Sequence, residues 1–421
     1  MNRVFLISFF LLLTGGICAQ QATTGALTLK EAEQRFLERN LSLIAERYNI
    51  DMAQAQVLQA KLFENPVISL EQNVYNRLNG KYFDFGKEGE MVVGIEQVIR
   101  LAGQRNKQVK LEKINKEIAE YQFEEVMRTL RQELNEKFVQ VYFLSKSISI
   151  YEKEVNSLQE LLAGMKLQQE KGNISLMEMS RLESMLFSLK KEKNERENEL
   201  LTLRGELNVL LNLPGDTMVE LSLDEEVLKQ LDLSQLSFAD LKAMVNERSD
   251  LKIARSTVSA SRANLKLQKS MAFPEFSVNG SYDRAGNFIN NYFAIGVSLS
   301  VPIFNRNQGN VKAARFSIQQ AGAEQENAAN RADMELYTAY ASLDKAVQLY
   351  QSTNMELERN FEKLIAGVNE NFKKRNISLL EFIDYYDSYK ETCIQLHEIK
   401  KDVFLAMENL NTTIGQTILN Y

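Results

Sequence analysis

Apolar residues recur every seven positions along four long segments of the chain. The four series are Met127, Leu134, Val141, Ile148, Val155 and Leu162; Leu182, Leu189, Leu203 and Leu210; Leu336, Leu343, Tyr350, Leu357 and Leu364; and Phe382, Tyr389, Leu396, Val403 and Leu410. A seven-residue repeat makes helices pair along an apolar seam, and Lys137, Lys193, Arg196 and Lys400 interrupt these seams. Because a short polar stretch separates the members of each pair of segments, the pattern predicts two long antiparallel helical hairpins.

The two turns between these segments have related sequences. They read Lys171-Gly172-Asn173-Ile174-Ser175 and Lys374-Arg375-Asn376-Ile377-Ser378. Any helical hairpin needs a polar turn, so the composition of each turn fits an ordinary loop. Duplication of the Asn-Ile-Ser pattern favours a contact surface instead, because loops on rigid scaffolds commonly carry binding sites.

The hairpins belong to an internal duplication with an offset of about 200 residues, in which Pro66 matches Pro274 and Gly215 matches Gly415. We predict a first structural repeat at 20–215, a connector at 216–235 and a second repeat at 236–421. Each repeat begins with a helix, about 28–63 or 237–271, and ends with a hairpin, about 104–211 or 310–414.

Between the leading helix and the hairpin, each repeat contains two stretches in which apolar and polar residues alternate. They lie at about 66–76 and 90–100 in the first repeat, and at about 274–283 and 291–302 in the second. In the last stretch Phe293, Ile295, Val297, Leu299 and Val301 alternate with small or polar residues that include Ser298 and Ser300. A period of two predicts strands with one apolar face.

Four strands are too few to close a membrane barrel, which begins at about eight. An open sheet in lipid would leave two edges of unpaired backbone groups, at a cost of several kcal/mol for each group. Three chains would supply twelve strands and twelve helix positions. We therefore predict a mainly α protein with a small antiparallel β portion, in which three chains form a 12-strand membrane barrel that continues into a tube of 12 helices.

The start of the chain predicts export. Arg3 precedes an apolar run from Val4 to Leu13, and Ala19 fits a cleavage site, so 1–19 is typical of a signal peptide. Cys18 leaves lipidation of the N-terminus open. No later stretch is long and apolar enough for a transmembrane helix, and Cys393 alone remains after cleavage, which excludes an intramolecular disulfide.

The strand-to-helix joints carry a specific resemblance. The sequences are Val301-Pro302-Ile303-Phe304-Asn305-Arg306-Asn307-Gln308-Gly309 and Gly94-Ile95-Glu96-Gln97-Val98-Ile99-Arg100-Leu101-Ala102-Gly103-Gln104-Arg105. With the duplicated order of elements, they resemble the TolC-like outer-membrane efflux proteins over essentially all of the mature chain. The second joint is similar to the cation-efflux branch, although Val98 stands where that branch usually has proline.

The resemblance implies that the 12-strand β-barrel lies in the outer membrane and that the 12-helix tube extends into the periplasm. It also implies that the protein is the exit duct of a tripartite efflux system. Its implied partners are two further copies of the chain, a periplasmic adaptor that contacts the tips, an inner-membrane pump of the RND type, and outer-membrane lipid. The implied cargo is metal cations or small toxic compounds, with protein secretion of type I as an alternative. A secreted coiled-coil scaffold without a pore is the alternative of another class, and it would have no use for the alternating strands.

Acidic residues follow the second tip. Glu381, Asp384 and Asp387 are spaced by three and share one helix flank. The resemblance implies an acidic ring at the tunnel entrance, and Glu381 and Asp384 match that pattern. In a trimer such a ring would attract cations. A solvated helix flank beside the seam explains the same residues.

Other functions find little support in the sequence. We expect His397, the single histidine, on a helix surface, and we predict no catalytic residue, metal ligand or cofactor site. The net charge of −6 is evenly distributed, which argues against nucleic acid as a partner. The sequence therefore indicates a transport protein and not an enzyme.

Overall fold

The computed structural model describes residues 26–172, 174–285 and 289–421. The predicted signal peptide, Cys18 and Asn173 lie outside the described residues. The first repeat contains β1 (Leu27–Thr28), α1 (Leu29–Arg39), α2 (Leu41–Lys61), β2 (Val67–Gln72), β3 (Tyr75–Asn76), β4 (Lys81–Tyr82), β5 (Met91–Ile99), α3 (Gln104–Glu170) and α4 (Leu176–Leu210). The connector contains β6 (Leu221–Ser222) and two 3-10 turns, Glu225–Gln230 and Leu233–Gln235.

The second repeat has the same order of main elements: helices, two long strands and a helical hairpin. It contains α5 (Phe238–Val245), α6 (Ser249–Ser270), β7 (Glu275–Ala285), β8 (Asn290–Ser300), α7 (Gln308–Ser352), α8 (Leu357–Lys373) and α9 (Leu379–Ile414). The described part of the chain is thus mainly helical with a small antiparallel sheet, which confirms the predicted fold class.

The helix α3 has 67 residues and is about 100 Å long at 1.5 Å per residue. Its heptad positions Leu134 and Leu158 are fully buried in the seams with neighbouring helices. One apolar cluster fills the middle of the molecule, and a second, around Leu158, Leu182 and Phe382, lies near the hairpin tips. The rods therefore have an apolar core along most of their length.

Three helices that the sequence predicts as continuous are interrupted. Asn40 separates α1 from α2, a short turn separates α5 from α6, and 353–356 separate α7 from α8. At the first break, Asn40 Oδ1 accepts the Leu43 N–H (3.0 Å), and Asn40 Nδ2 donates to the Leu210 carbonyl (2.9 Å). At the third break, Asn354 Oδ1 accepts the Glu356 N–H (3.1 Å). Asparagine side chains that bond the nearby backbone compete with helix continuation, and periodicity does not detect them.

The four long strands form one antiparallel sheet in the order β2-β5-β7-β8. Ile68, Ile95, Gly280 and Ile295 lie opposite one another across its centre. Because side chains alternate, the same face carries Leu70, Val93, Phe276, Val278, Tyr282, Phe293, Val297 and Leu299. The other face carries mostly small, polar or acidic residues, including Ser69, Glu71, Glu96, Ser277, Asn279, Ser281, Asp283 and Ser298. The sheet thus has one apolar face and one polar face, as the sequence predicts.

The helices below the sheet form an open row. α2 packs on α3, α3 on α6, and α6 on α7; nearer the tips, α4 packs on α3, α3 on α9, and α9 on α7 and α8. The outermost helices expose large apolar side chains, among them Tyr48 (61% exposed) on α2 and Tyr337 (65%) on α7. The row therefore ends in two unpartnered sides, as the sheet ends in β2 and β8.

The connector is fixed to the hairpins by an ion-pair cluster. Glu225 contacts the ammonium groups of Lys146 on α3 and Lys400 on α9, the latter at 2.9 Å. Despite its burial, these partners lower the pKa of Glu225 to about 2. The cluster accounts for Lys400, which interrupts a predicted apolar seam, and joins the two repeats through the connector.

Candidate functional site: the hairpin tips and the helices above them

The two tips have the same local hydrogen bonding. Glu178 Oε2 accepts from the backbone N–H (2.9 Å) and the hydroxyl of Ser175, and Glu381 Oε2 accepts from the N–H (2.7 Å) and the hydroxyl of Ser378. Each serine hydroxyl in turn accepts the N–H of its glutamate, so both pairs are capping boxes. These bonds hold the pKa of both carboxyls below its ordinary value. The duplicated sequence thus starts α4 and α9 in the same way.

The second residue of each tip has a left-handed backbone. Gly172 has φ of 71° and Arg375 has φ of 62°. Glycine adopts this conformation at no steric cost, whereas a residue with a Cβ atom is strained there by about 1 kcal/mol or more. Arg375 keeps an exposed guanidinium at a position where glycine would fit better.

Apolar and cationic side chains are exposed together at the tips. Leu176 is 71% exposed, Met177 80% and Leu380 64%. Lys171, Lys374 and Arg375 are exposed beside them, while Ile174 and Ile377 are half-buried. We name the exposed residues Lys171, Leu176, Met177, Lys374, Arg375 and Leu380 the tip surface. Large apolar side chains that remain in water next to cations are typical of a surface that another protein covers.

The three acidic residues after the second tip differ in their surroundings. Glu381 and Asp384 are exposed, and the carboxylate of Glu381 is engaged by its capping box. Asp387 is half-buried, and its Oδ1 lies 3.9 Å from Lys390 Nζ. Burial raises the pKa of Asp387. The structure therefore places Asp384 and Asp387 on one flank and gives Glu381 a role in starting the helix.

A closed ring of hydrogen bonds joins the hairpins above the tips. Asn369 Nδ2 donates to Ser157 Oγ (2.9 Å), the Tyr386 hydroxyl donates to Asn369 Oδ1 (2.8 Å), and Ser157 Oγ lies 2.7 Å from the Tyr386 hydroxyl. The ring links α3 of the first repeat to α8 and α9 of the second. The sequence does not predict this ring because its members are far apart in the chain, and a serine or asparagine at the edge of a seam is a weak signal.

The basic residues that interrupt the predicted seams form ion pairs in the structure. Lys137 pairs with Glu206 (2.5 Å), Lys193 with Glu152 (3.2 Å), and Arg196 with Glu199 (2.9 Å). Lys137 and Lys193 have counter-ions on the facing helix, so they link α3 to α4 at levels where the apolar seam is interrupted.

The predicted position of His397 is wrong. Its side chain is 4% exposed, and its ring centroid lies 6.3 Å from that of Phe143. α9 packs against α3 and α7 at once, so residues beside its heptad seam are also covered. A pattern that assumes a single partner helix does not predict this burial.

Two further features of the described residues bear on function. None of the described helices has the length and apolar character needed to cross a membrane. The described part of the chain also contains no cluster of three or more His, Cys, Asp or Glu side chains with the geometry to hold a metal ion.

The fold is similar to those of solved outer-membrane channels. CusC, described in connection with transmembrane channel formation, is 18% identical with a TM-score of 0.75, and 92% of each chain is covered. The CmeC outer membrane channel of Campylobacter jejuni is 13% identical with a TM-score of 0.75, covering 100% of this chain and 96% of that one. The open MtrE outer membrane channel of Neisseria gonorrhoeae is 16% identical with a TM-score of 0.72, covering 93% and 89%. At these identities the similarity establishes the fold.

The sequence itself identifies the family. No curated protein matches the chain significantly. Residues 33–213 and 241–366, well over half of the chain, match the family described as outer membrane efflux protein. The chain therefore belongs to the outer membrane efflux protein family, whose members are channels of the outer membrane with a periplasmic helical extension, and not enzymes.

Proposed function

We propose that three copies of this chain form the exit duct of a tripartite efflux system. The observation that carries the proposal is that the sheet and the row of helices are open at both sides: β2 and β8 are edge strands, and α2, α4 and α7 lie at the ends of the row. Joining β8 of one copy to β2 of the next would pair both edges and cover the apolar side chains on the outer helices. Three copies of a four-stranded sheet make a barrel of twelve strands.

The two faces of the sheet fit the two sides of a barrel wall. The face with Ile68, Ile95 and Ile295 would contact lipid, and the face with serine, asparagine and acidic residues would line a water-filled lumen. Glu71, Glu96 and Asp283 are on the lumen face, which favours cationic cargo. These acidic residues, together with the resemblance of 94–105 to the cation-efflux branch, support metal cations or small cationic toxic compounds as cargo.

The tip surface supports contact with a periplasmic adaptor. Its apolar members are exposed, and Arg375 persists in a strained conformation, which residues at functional positions often tolerate. An adaptor implies an inner-membrane pump, for which we propose the RND type because the resemblance points to that class.

The entrance gate is proposed at Asp384 and Asp387. Threefold symmetry would place six carboxylates around the axis, where their combined negative charge would attract cations. Glu381 contributes less to this ring than the sequence suggests, because its carboxylate is engaged by Ser378. Opening would require the hairpins to move apart and the ring of Ser157, Asn369 and Tyr386 to break.

The gate proposal is tested by single-channel recording in planar bilayers. The Asp384→Asn, Asp387→Asn double variant should conduct like the parent, but block by divalent or trivalent cations from the periplasmic side should weaken at least tenfold, or about 1.4 kcal/mol of lost binding. Glu398→Gln, an exposed acid further along α9, is the control and should leave block unchanged. If the double variant is blocked as strongly as the parent, these acids lie on a solvated flank.

The two tips are tested by substituting the residue with a left-handed backbone in each of them. Gly172→Ala should destabilise the first tip by about 1 kcal/mol, whereas Arg375→Gly should leave the second unchanged or up to about 1 kcal/mol more stable. Hydrogen exchange of the tip amides measures both effects. Arg375→Gly should nevertheless reduce site-specific cross-linking to the adaptor in cells. Unchanged cross-linking would show that the guanidinium makes no contact with the adaptor.

The lipid face is tested with arginine substitutions on one strand. Ile295 is the middle residue of the edge strand β8 and is 87% exposed in the single chain. Ile295→Arg should destabilise the inserted protein by about 2–4 kcal/mol, because the charge would lie near the middle of the bilayer. Ser298→Arg faces the lumen and should be nearly neutral. Urea titrations of folded protein in lipid vesicles measure both, and equal effects would contradict the assignment of the two faces.

A further inference from the structure

Glu154 is a buried acid for which the duct has no evident use. It lies on α3, between the tips and the middle of the molecule, and only 3% of its surface is exposed. Its Oε1 has no hydrogen-bond partner among the described residues. Burying a carboxylate without partners costs several kcal/mol, so its position in the wall requires an explanation.

The groups that face Glu154 come from two other helices. α4 contributes Glu192, and α9 contributes Asp387, Lys390 and the hydroxyl-bearing Tyr386. Lys390 Nζ is 3.1 Å from Glu192 Oε2 and 3.9 Å from Asp387 Oδ1. One half-buried ammonium group therefore pairs with Glu192 and with Asp387 of the proposed gate, and it also acts electrostatically on Glu154.

These surroundings determine the charge of Glu154. Burial raises its pKa to about 8; Lys390 opposes the rise, and Asp387 and Glu192 add to it. In the packed structure the carboxyl is therefore protonated at neutral pH, and Lys390 is left to Glu192 and Asp387. An ionised Glu154 would compete for the same ammonium group and add a buried charge to the helix interface.

We propose that Glu154 is a proton-dependent positioning residue for the entrance: when protonated it lets α3, α4 and α9 pack with Asp387 beside Lys390, and when ionised it drives α9 away from α3. The proposal rests on the proposed gate, and it adds control by pH through a residue that does not line the gate. The proton is released to water when the helices separate and is taken up again when they close.

The direction of the pH effect follows from the two protonation states. A solvent-exposed carboxyl has a pKa of about 4.5, so separation of the helices releases one proton per chain between about pH 4.5 and 8. In this window each unit of pH shifts the ratio of packed to separated helices by up to about tenfold per chain. Packing is favoured at acidic pH and is lost as the pH rises through the raised value. Acidic medium should therefore keep the entrance closed.

The test measures the width of the entrance directly. A single spin label at Ser388→Cys, an exposed position on α9, reports the distance between equivalent sites of an assembly in detergent, in a Cys393→Ala background. The label distance should increase between about pH 4.5 and 8 and change little above that range. Glu154→Gln, which mimics the protonated acid, should keep the short distance throughout. Glu160→Gln, an exposed acid on the same helix, should behave like the parent, and Glu154→Asp should restore a pH dependence.

The outcomes separate this proposal from the duct itself. A pH-independent distance in the parent, or the same pH profile in Glu154→Gln as in the parent, overturns the role of Glu154 even if the protein conducts. Bilayer recordings over the same pH range test the duct separately. Absence of conductance in every variant would contradict the duct, whereas a pH-dependent distance lost in Glu154→Gln would still support the positioning role.

Discussion

The unpaired backbone edges of the four-stranded sheet are the constraint on which the rest of the structure depends. Among the residues that the structure describes, β2 and β8 each have one side without a partner strand, and in lipid each unpaired N–H or C=O costs several kcal/mol. The helices below repeat this arrangement, because α2, α4 and α7 expose large apolar side chains at the ends of the row. One rotation that places a second chain beside the first would pair the free strand edges and cover the exposed apolar side chains of the outer helices. This is because the sheet and the helices of one chain end at the same two sides. The long helices then necessarily surround an axis.

Much of this architecture could be predicted from the sequence because it depends on periodicity. The heptad series predicts the rods, the alternation at 291–302 predicts β8 and its apolar face, and the duplicated turns predict two equivalent tips. The breaks at Asn40 and Asn354 could not be found in this way. They depend on one side chain that bonds its own neighbouring backbone, and such bonds leave the apolar pattern intact on both sides. The heptad pattern gives the wrong position for His397 because it describes pairs of helices, whereas α9 contacts more than one helix.

In the candidate site, too, the sequence predicts local contacts but not contacts between distant residues. Ser378 and Glu381 are three residues apart, so their capping box can be recognised in the sequence, although its consequence for the gate becomes visible only in the structure. The contacts between the hairpins join distant residues: Lys390 reaches Glu192, and Tyr386 reaches Ser157. No local pattern predicts these pairs, and Glu154 looks like any other glutamate on a charged helix. The contacts that would break during opening are therefore identified only by the three-dimensional structure.

Three chains are required to close the open sides of the sheet and of the helix row, and the assembly state of the protein tests this requirement most directly. Native mass spectrometry of the protein extracted in mild detergent should give a species with three times the mass of the mature chain. Circular dichroism of the same sample should retain the helix and strand content of the fold. A stable monomer with full strand content would contradict the account, because an isolated chain could then tolerate both sheet edges.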